Sequence, residues 1–161
     1  MNTHYNMRKP GEDNQFQVAH VELIRRNHLF WTGQDLFEQR LDSTAFARAL
    51  YHAPFVLLTH DAKPDPVFNY ANEKAQNLFD MSWEEITAYP SRLSAAEPDQ
   101  ASRERFLNDV EQKGYSNGYH GVRITRDGRR FEIQDAIVWN LLDQNGTYCG
   151  QAACFAQWRW L

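Results

Sequence analysis

The sequence predicts an α+β fold: one five-stranded antiparallel sheet, a helical crossover on one face of it, and a helical extension at the N-terminus. Three observations carry this prediction. Apolar residues recur at helical spacing before residue 54, short helix signals cluster between residues 72 and 113, and strand patterns flank that cluster on both sides. Two turns with Asp-Gly and Asn-Gly pairs divide the final third of the chain.

The N-terminal third is predicted to be helical. Residues 1–15 are polar and contain a Pro-Gly pair, so we expect a flexible tail there. An amphipathic helix is predicted over 14–31 and a second helix over 43–52. We expect residues 16–54 to form a helical extension that precedes a domain of residues 55–161.

Five strands are predicted in the remaining chain. Residues 55–59 and 67–71 are joined by a turn rich in Asp and Pro, which indicates a hairpin. Residues 119–125, 130–142 and 147–160 form a three-stranded meander, and Asp-Gly in its first turn predicts a type I′ geometry. Two strands, a crossover and three strands are typical of a single antiparallel sheet.

The crossover is predicted from helix caps. Asn72 is a favourable N-cap for a short helix over 73–79. Ser82 and Glu85 have the spacing of a capping box, which predicts a second short helix. A longer helix is expected over 99–113. A small cavity between these helices and the sheet is where we expect a ligand to bind.

Asp135 is the polar residue that the strand pattern makes conspicuous. Regular alternation over 130–142 would place it on the buried face with Ile133 and Trp139, where an unpaired carboxylate is costly. It would then anchor a ligand or act as a general base. A bulge that turns it outward, or a structural hydrogen bond to Tyr70, Arg92 or a helix N-terminus, explains the same pattern.

The predicted pocket combines this carboxylate with the aromatic residues of sheet and crossover. The same aromatic residues would equally fill a solid core. The ligand-binding residues that we predict are Phe68, Tyr70, Phe79, Trp83, Phe106, Asp135 and Trp139.

Composition narrows the classes of function. A net charge of −4 argues against nucleic acid as a partner, although arginines 123, 126, 129 and 130 surround a hairpin tip where we expect them to be solvated. No apolar run is long enough to span a bilayer, so no membrane association is expected. Two cysteines and no apolar leader suit a cytoplasmic protein. No metal ligands, catalytic residues or particular cofactor are predicted.

Several segments resemble known families. The element order and the segment Asn72-Glu73-x-Ala75-x-x-Leu78-Phe79 resemble PAS domains, although Asp80 stands where many of them have Gly. The chain more specifically resembles the MEKHLA domain, a PAS-like family found as single-domain bacterial proteins and at the C-terminus of plant class III homeodomain–leucine zipper factors. The segments that carry this are Phe68-Asn69-Tyr70-x-Asn72, Met81-Ser82-Trp83-Glu84-Glu85, Pro90-Ser91-Arg92-Leu93-Ser94-Ala95, Gly128-Arg129-Arg130-Phe131 and Val138-Trp139-Asn140-Leu141.

The resemblance implies a stand-alone PAS-like sensory module. We expect it to bind a small apolar or aromatic molecule and to signal through a protein partner, or a homodimer, that contacts the N-terminal helix. One alternative is a small cofactor-free enzyme of the isomerase or cyclase kind, with Asp135 as base assisted by Tyr70 or His120. Another is an interaction adaptor without a ligand. In PAS topology the first strand lies centrally, beside the second and the last. The strand order therefore distinguishes the PAS-like sensor from the small enzyme.

Overall fold

The computed structural model describes residues 7–161 and contains helices on both sides of one sheet. The helices are α1 Val18–Thr32, α2 Ser43–Tyr51, α3 Glu73–Phe79, α4 Trp83–Ile86 and α5 Glu97–Lys113. The strands are β1 Val56–His60, β2 Phe68–Ala71, β3 Tyr115–Ile124, β4 Arg130–Leu142, β5 Tyr148–Phe155 and β6 Gln157–Trp160. Short 3-10 turns occupy Glu12–Gln17 and Ser91–Ser94.

The sheet is antiparallel, with the strand order β2-β1-β5-β4-β3. Strand β1 therefore lies beside β2 and β5, as the PAS-like prediction requires, and the predicted fold class is confirmed. The predicted last strand, however, divides at Ala156 into β5 and β6. Residues 137–142 of β4 pair with β5, whereas residues 131–134 pair with β6.

Asp135 marks the point where β4 changes partners. Its φ of 52° is in the left-handed region, which is uncommon for a residue with a side chain. The extra residue forms a bulge that rotates the strand, so Ile133 and Trp139 lie in different cores although their spacing is even. The expectation that these residues share one buried face with Asp135 was wrong, because regular alternation does not continue through the bulge.

The sheet has two covered faces, each with its own core. On the α1 face, helices α1 and α2 cover Leu57, Tyr70, Trp139, Leu141 and Ala152. On the crossover face, helices α3 to α5 cover a second set of side chains. That set includes Val56, Leu58, Phe68, Phe131, Ile133, Ala136 and Phe155.

Helix α1 is attached to the sheet by side-chain hydrogen bonds as well as by apolar packing. Asn27 accepts a bond from the Leu142 N–H at 3.0 Å and donates one to the Leu142 carbonyl at 3.0 Å. The indole of Trp31 donates to the Asn140 carbonyl at 2.9 Å. Val21 and Ile24 are fully buried. The apolar side of the predicted extension is thus buried against the sheet of its own chain.

Helix α1 begins later than the predicted residue 14. Gln15, Phe16 and Gln17 all have positive φ, which interrupts the helix before Val18. Part of the predicted tail also makes contacts: the Trp83 indole donates to the Met7 carbonyl at 2.9 Å, and Glu12 pairs with Arg48. Residues 1–6 lie outside the described part of the chain. The predicted domain boundaries stay predictions.

The helix caps follow the sequence prediction. Asn72 accepts bonds from the N–H groups of Ala75 and Leu57, both at 3.1 Å, and its amide donates to the carbonyls of Leu50 and Phe55. One buried side chain therefore joins α2, α3 and β1. Ser82 and Glu85 form the predicted capping box of α4.

The two meander turns lie where predicted, but the first differs in geometry. A type I′ turn needs positive φ at both central residues. Gly128 has φ of 90°, whereas Asp127 is not in the left-handed region. The Gly128 N–H donates to the Thr125 carbonyl at 3.0 Å, so the turn begins one residue earlier and ends on the glycine. The Asp-Gly pair located the hairpin without fixing its type.

Candidate functional site

A cavity of about 60 Å³ lies on the crossover face, between the sheet, helix α5 and the turn Ser91–Ser94. One end is apolar and the other is polar. The apolar end is formed by Leu58, Phe68, Phe79, Ile133, Val138 and Phe155. The polar end is formed by His60, Ser91, Ser94, Arg103, Arg123 and Gln151.

Two of the predicted pocket residues line this cavity. Phe68 and Phe79 are buried on its apolar side, at 5% and 1% exposure. Phe68 comes from edge strand β2 and Phe79 from the last turn of α3, so the strand–helix entry of the crossover forms one wall. That either residue contacts a ligand stays a prediction.

Three predicted pocket residues belong to the opposite core. Tyr70, Trp83 and Trp139 pack on the α1 face, where the Tyr70 and Trp83 rings meet edge-to-face at 5.8 Å. Irregularities in β2 and β4 place Tyr70 and Trp139 on this face although they are an even number of residues from Phe68 and Ile133, and Trp83 reaches it from α4. Within residues 7–161, Tyr70 Oη and Trp139 Nε1 are buried without a hydrogen-bond partner. Burial raises the pKa of the Tyr70 phenol.

The remaining two predicted residues lie outside the cavity. Phe106 is half-buried on α5 and stacks on Tyr119 at a centroid distance of 3.7 Å. Asp135 is exposed, with its carboxylate 3.7 Å from Nε2 of His120. The bulge turns it outward, which is one of the alternatives that the sequence left open. Asp135 and Tyr70, the suggested base and its assistant, do not converge on one site.

Arg103 is the central polar group of the cavity. It lies on α5, is 7% exposed, and donates a hydrogen bond to Ser91 Oγ. The Ser91 N–H in turn donates to the Pro66 carbonyl at 2.8 Å, and Ser94 Oγ donates to the Ser91 carbonyl at 2.7 Å. Burial, with the nearby charge of Arg123, lowers the pKa of Arg103 to about 10, so the guanidinium remains charged at neutral pH.

Arg123 brings a second cation to the same end. It is 8% exposed on β3, whereas a solvated position was expected for it. Its guanidinium donates to the Val122 carbonyl at 2.9 Å and to Tyr119 Oη at 3.2 Å, and it lies 5.6 Å from the Tyr119 ring centroid. The stacked Phe106 holds Tyr119 in place from the side of α5.

A chain of amides fixes the orientation of His60. Asn140 Nδ2 donates to two carbonyls of α5, so Asn140 Oδ1 accepts from Gln151 Nε2 at 3.1 Å. Gln151 Oε1 then faces His60 Nε2 at 3.2 Å, and His60 Nδ1 faces the Asp61 carbonyl at 2.7 Å. Both ring nitrogens face acceptor oxygens, and these hydrogen bonds favour the protonated ring. Burial has the larger effect and lowers the pKa of His60.

A surface depression adjoins the polar end of the cavity. It lies between the β1–β2 turn and α5, and His60, Arg103, Leu107 and Gln151 line both spaces. The polar end of the cavity is therefore next to a depression of about 440 Å³ that reaches solvent.

The polar residues of this site were missed by sequence reasoning, although α5 contained a signal. Arg103 precedes Leu107 by four positions and Val110 by seven, which places all three on one side of a helix. Leu107 and Val110 are the apolar residues of that side, so an arginine on the same side is directed inward. Nothing in the local pattern indicated that Arg123 would be buried.

Metal-ligating and thiol side chains are the other groups in the described residues that bear on chemistry. Within the described residues, no group of three or more His, Cys, Asp or Glu side chains is arranged to hold a metal ion. Cys149 and Cys154 are both free, and burial raises the pKa of the Cys154 thiol to about 12. Among residues 7–161, no helix combines the length and apolar character needed to cross a bilayer.

Comparison with known families adds an independent observation. The family model of the MEKHLA domain matches residues 18–160, which include α1 and the whole sheet. The match therefore begins within the predicted extension rather than after it.

Individual relatives and structures agree with this match. Homeobox-leucine zipper protein HOX9 of Oryza sativa subsp. indica is 27% identical over 140 residues, 84% of this chain and 16% of that protein. ATHB-9 of Arabidopsis thaliana is 24% identical over 133 residues, 78% of this chain and 16% of that protein. This chain thus spans about a sixth of the length of these relatives.

The solved structures show the fold. A PAS domain from Colwellia psychrerythraea superposes with a TM-score of 0.59 at 16% identity, covering 71% of this chain and 92% of the other. An RNA-binding light-oxygen-voltage receptor superposes with a TM-score of 0.63 at 16% identity, covering 77% of this chain and 36% of the other. At these identities the fold is shared, and nothing further follows.

Proposed function

Because the chain belongs to the MEKHLA domain family and has a PAS-like sensory fold, we propose that it binds a small molecule in the crossover-face cavity and signals through a protein partner. The observation that supports this most directly is the cavity itself, where a few buried polar groups converge beside an apolar wall. Concave sites with an apolar wall and a few polar groups are typical of small-molecule binding. At about 60 Å³ the space suits only a small ligand in the present conformation.

Strand β4 offers the physical connection for signalling. Ala136 and Val138 line the cavity, while Trp139 and Leu141 pack beneath α1 on the other face. A ligand that displaces β4 would therefore change the packing of α1 and its bonds from Asn27 and Trp31. Close-packed elements transmit such displacements because they have little free volume.

The partner surface that we propose is the outer side of α1. Leu29 and Phe30 are 49% and 68% exposed, whereas Val21 and Ile24 on the inner side are buried. An exposed aromatic residue on the helix that touches β4 is suited to bind another protein. The location of the protein in the cell stays a prediction.

The test begins with protein purified from its native host. Native mass spectrometry and thermal shift against a small-molecule library are expected to show a bound or stabilising compound. Hydrogen exchange with that compound is then expected to change in α1 as well as in the cavity wall. A clean unliganded mass together with no thermal shift from any compound would contradict ligand binding.

The partner proposal has its own experiment. Phe30→Ser removes a ring that is 68% exposed and is expected to abolish co-purification of the partner, with only a small decrease in melting temperature from the lost edge-to-face contact with Trp31. Phe106→Ser would not distinguish loss of partner binding from loss of stability, because the Phe106 ring is stacked on Tyr119. The exposed Lys63→Ser, in the β1–β2 turn, is the matched control and is expected to retain the partner. Equal capture by both variants would remove α1 as the partner surface.

A further inference from the structure

The lining of the cavity is strongly unbalanced in charge. It contains the guanidinium groups of Arg103 and Arg123, yet no Asp or Glu side chain lines it. Both arginines are more than nine-tenths buried. Buried cations are ordinarily paired with an anion, because removing an uncompensated charge from water costs roughly several kcal/mol per ion.

The surrounding carboxylates do not supply that anion. Among residues 7–161, neither Arg103 nor Arg123 forms an ion pair with a carboxylate within 4.0 Å. Asp65 and Glu104 raise the pKa of Arg103 by attraction at longer range, but Asp65 is paired with Arg92 at 3.1 Å and Glu104 is exposed on α5. Among residues 7–161, no carboxylate is therefore in direct contact with either buried guanidinium.

The hydrogen bonds around Arg103 leave donors available. A guanidinium carries five N–H donors. In the described part of the chain, the single side-chain bond from Arg103 goes to Ser91 Oγ. Ser91 Oγ accepts that bond and donates none within residues 7–161, so its hydroxyl hydrogen is available to a ligand. A planar acceptor that reaches this end would meet donors from Arg103 and Ser91 together.

We propose that the cavity binds a short-chain monocarboxylate, with its carboxylate on Arg103, Arg123 and Ser91 and its apolar tail against Phe79, Ile133 and Phe155. This inference rests on the proposed ligand-binding function and names the class of ligand. The apolar wall favours a carboxylate with a hydrocarbon tail over a phosphate, which has no apolar part. A water needs about 10–15 Å³ of such space, so the cavity accommodates about four to six non-hydrogen atoms.

The first experiment is calorimetric titration with sodium salts of increasing chain length, from acetate through propionate, butyrate and valerate to octanoate. We expect affinity to rise to a maximum at propionate or butyrate, which have five and six non-hydrogen atoms, and to fall at least tenfold for octanoate. Butyramide has the shape of butyrate without its charge and is expected to bind at least tenfold more weakly. Inorganic phosphate is the comparison without a tail and is also expected to bind weakly.

The variants separate Arg103 from general charge effects. Arg103→Gln is expected to lower butyrate affinity at least tenfold. Arg105→Gln removes the same charge from the same helix at an exposed position, and is expected to leave affinity within twofold. Ser91→Ala keeps both arginines and is expected to lower affinity threefold or more. It provides the test if Arg103→Gln does not fold.

The outcomes distinguish this inference from the proposed function. Binding of butyramide as tightly as butyrate, of phosphate as tightly as butyrate, or equal losses in Arg103→Gln and Arg105→Gln would overturn the carboxylate assignment. Tight binding of a neutral compound in the cavity, with no response to any carboxylate, would also overturn it but preserve ligand binding. No binding of any compound would overturn both.

Discussion

Helices cover both faces of the sheet, yet the two faces differ in packing and charge. Under α1 and α2 the core contains large aromatic residues, including Trp139, Tyr70 and Phe46, with no exposed surface. Under α3 to α5 the core contains a cavity and two buried arginines. The α1 face therefore has the character of a structural core, and the crossover face that of a binding site.

This difference shows that the number of aromatic residues is a poor guide to a ligand site. The α1 face holds the bulkier aromatic residues, and the buried polar atoms without a hydrogen-bond partner among residues 7–161 are Tyr70 Oη and Trp139 Nε1 in its core and Glu22 Oε1 on α1 itself. The crossover face has smaller side chains, such as Ala136 and Ala153, where the cavity forms. Space and unpaired charge distinguish the two faces.

The largest expected effect compares adjacent residues on β4. Trp139→Ala removes a fully buried indole from the α1 face and is expected to lower the free energy of unfolding by about 3–5 kcal/mol. Val138→Ala acts on the cavity wall, where few atoms face the lost methyl groups, and is expected to cost about 1 kcal/mol. Urea denaturation measures both. Equal losses would contradict the difference in packing.

A smaller effect is expected from adding volume to β5. Both residues border the cavity, but Ala152 pairs with Trp139 and belongs to the core beneath α1, whereas Ala153 pairs with Val138 and lies outside that core. Ala152→Val is expected to cost about 2 kcal/mol through overpacking. Ala153→Val is expected to change stability by less than about 0.5 kcal/mol, because cavity space receives the added methyl groups. If Ala153→Val were the more damaging of the two, the cavity would not be real space.

The smallest effect concerns acid sensitivity beneath α1. His20 Nε2 donates to Thr59 Oγ1 at 2.9 Å, because the Thr59 hydroxyl hydrogen is donated to Asn69. Burial lowers the pKa of His20 to about 4. The unfolded chain therefore binds this proton more readily between about pH 6.5 and pH 4, and stability falls as pH falls through that window.

His20→Gln removes this proton-binding group and is expected to reduce the acid-induced loss of stability by on the order of 1–2 kcal/mol, allowing for partial exposure of the residue. The exposed His120→Gln is the control and is expected to leave the loss unchanged. His28 and His60, whose pKa values burial also lowers, contribute to the loss that remains. Denaturation midpoints of the three proteins at pH 7, 5.5 and 4.5 give the comparison. Parallel curves for wild type and His20→Gln would contradict the pKa assignment.

The features that could be predicted from sequence depend on local chemistry. Asn72, Ser82 and Glu85 cap helices through neighbouring backbone atoms, so their spacing was sufficient. Strand order followed from the resemblance. The bulge at Asp135 was left only as an alternative, because alternation of residue types does not show which residue will adopt positive φ.

The candidate site was predicted less well for a related reason. Tyr70 and Phe68 are both aromatic and two positions apart, and regular alternation would place them on the same side of β2. In the structure they lie on opposite faces, and the β1–β2 pairing shifts register between Thr59 and His60. Arg103 and Arg123 are apart in sequence and meet through the packing of α5 on the sheet. Such a meeting follows from tertiary structure and has no signature in either segment.

The side chain of Asn27 gives α1 a property that apolar packing alone would not. Its amide bonds both the N–H and the carbonyl of Leu142, as a neighbouring strand would. Apolar side chains can slide over one another by small amounts with little change in energy, but a paired amide loses both bonds once it moves by about an ångström. The position of α1 along the sheet is therefore fixed by its hydrogen bonds to one residue, Leu142. Any movement of α1 that carries a signal must be discrete, with one defined position before release and another after it.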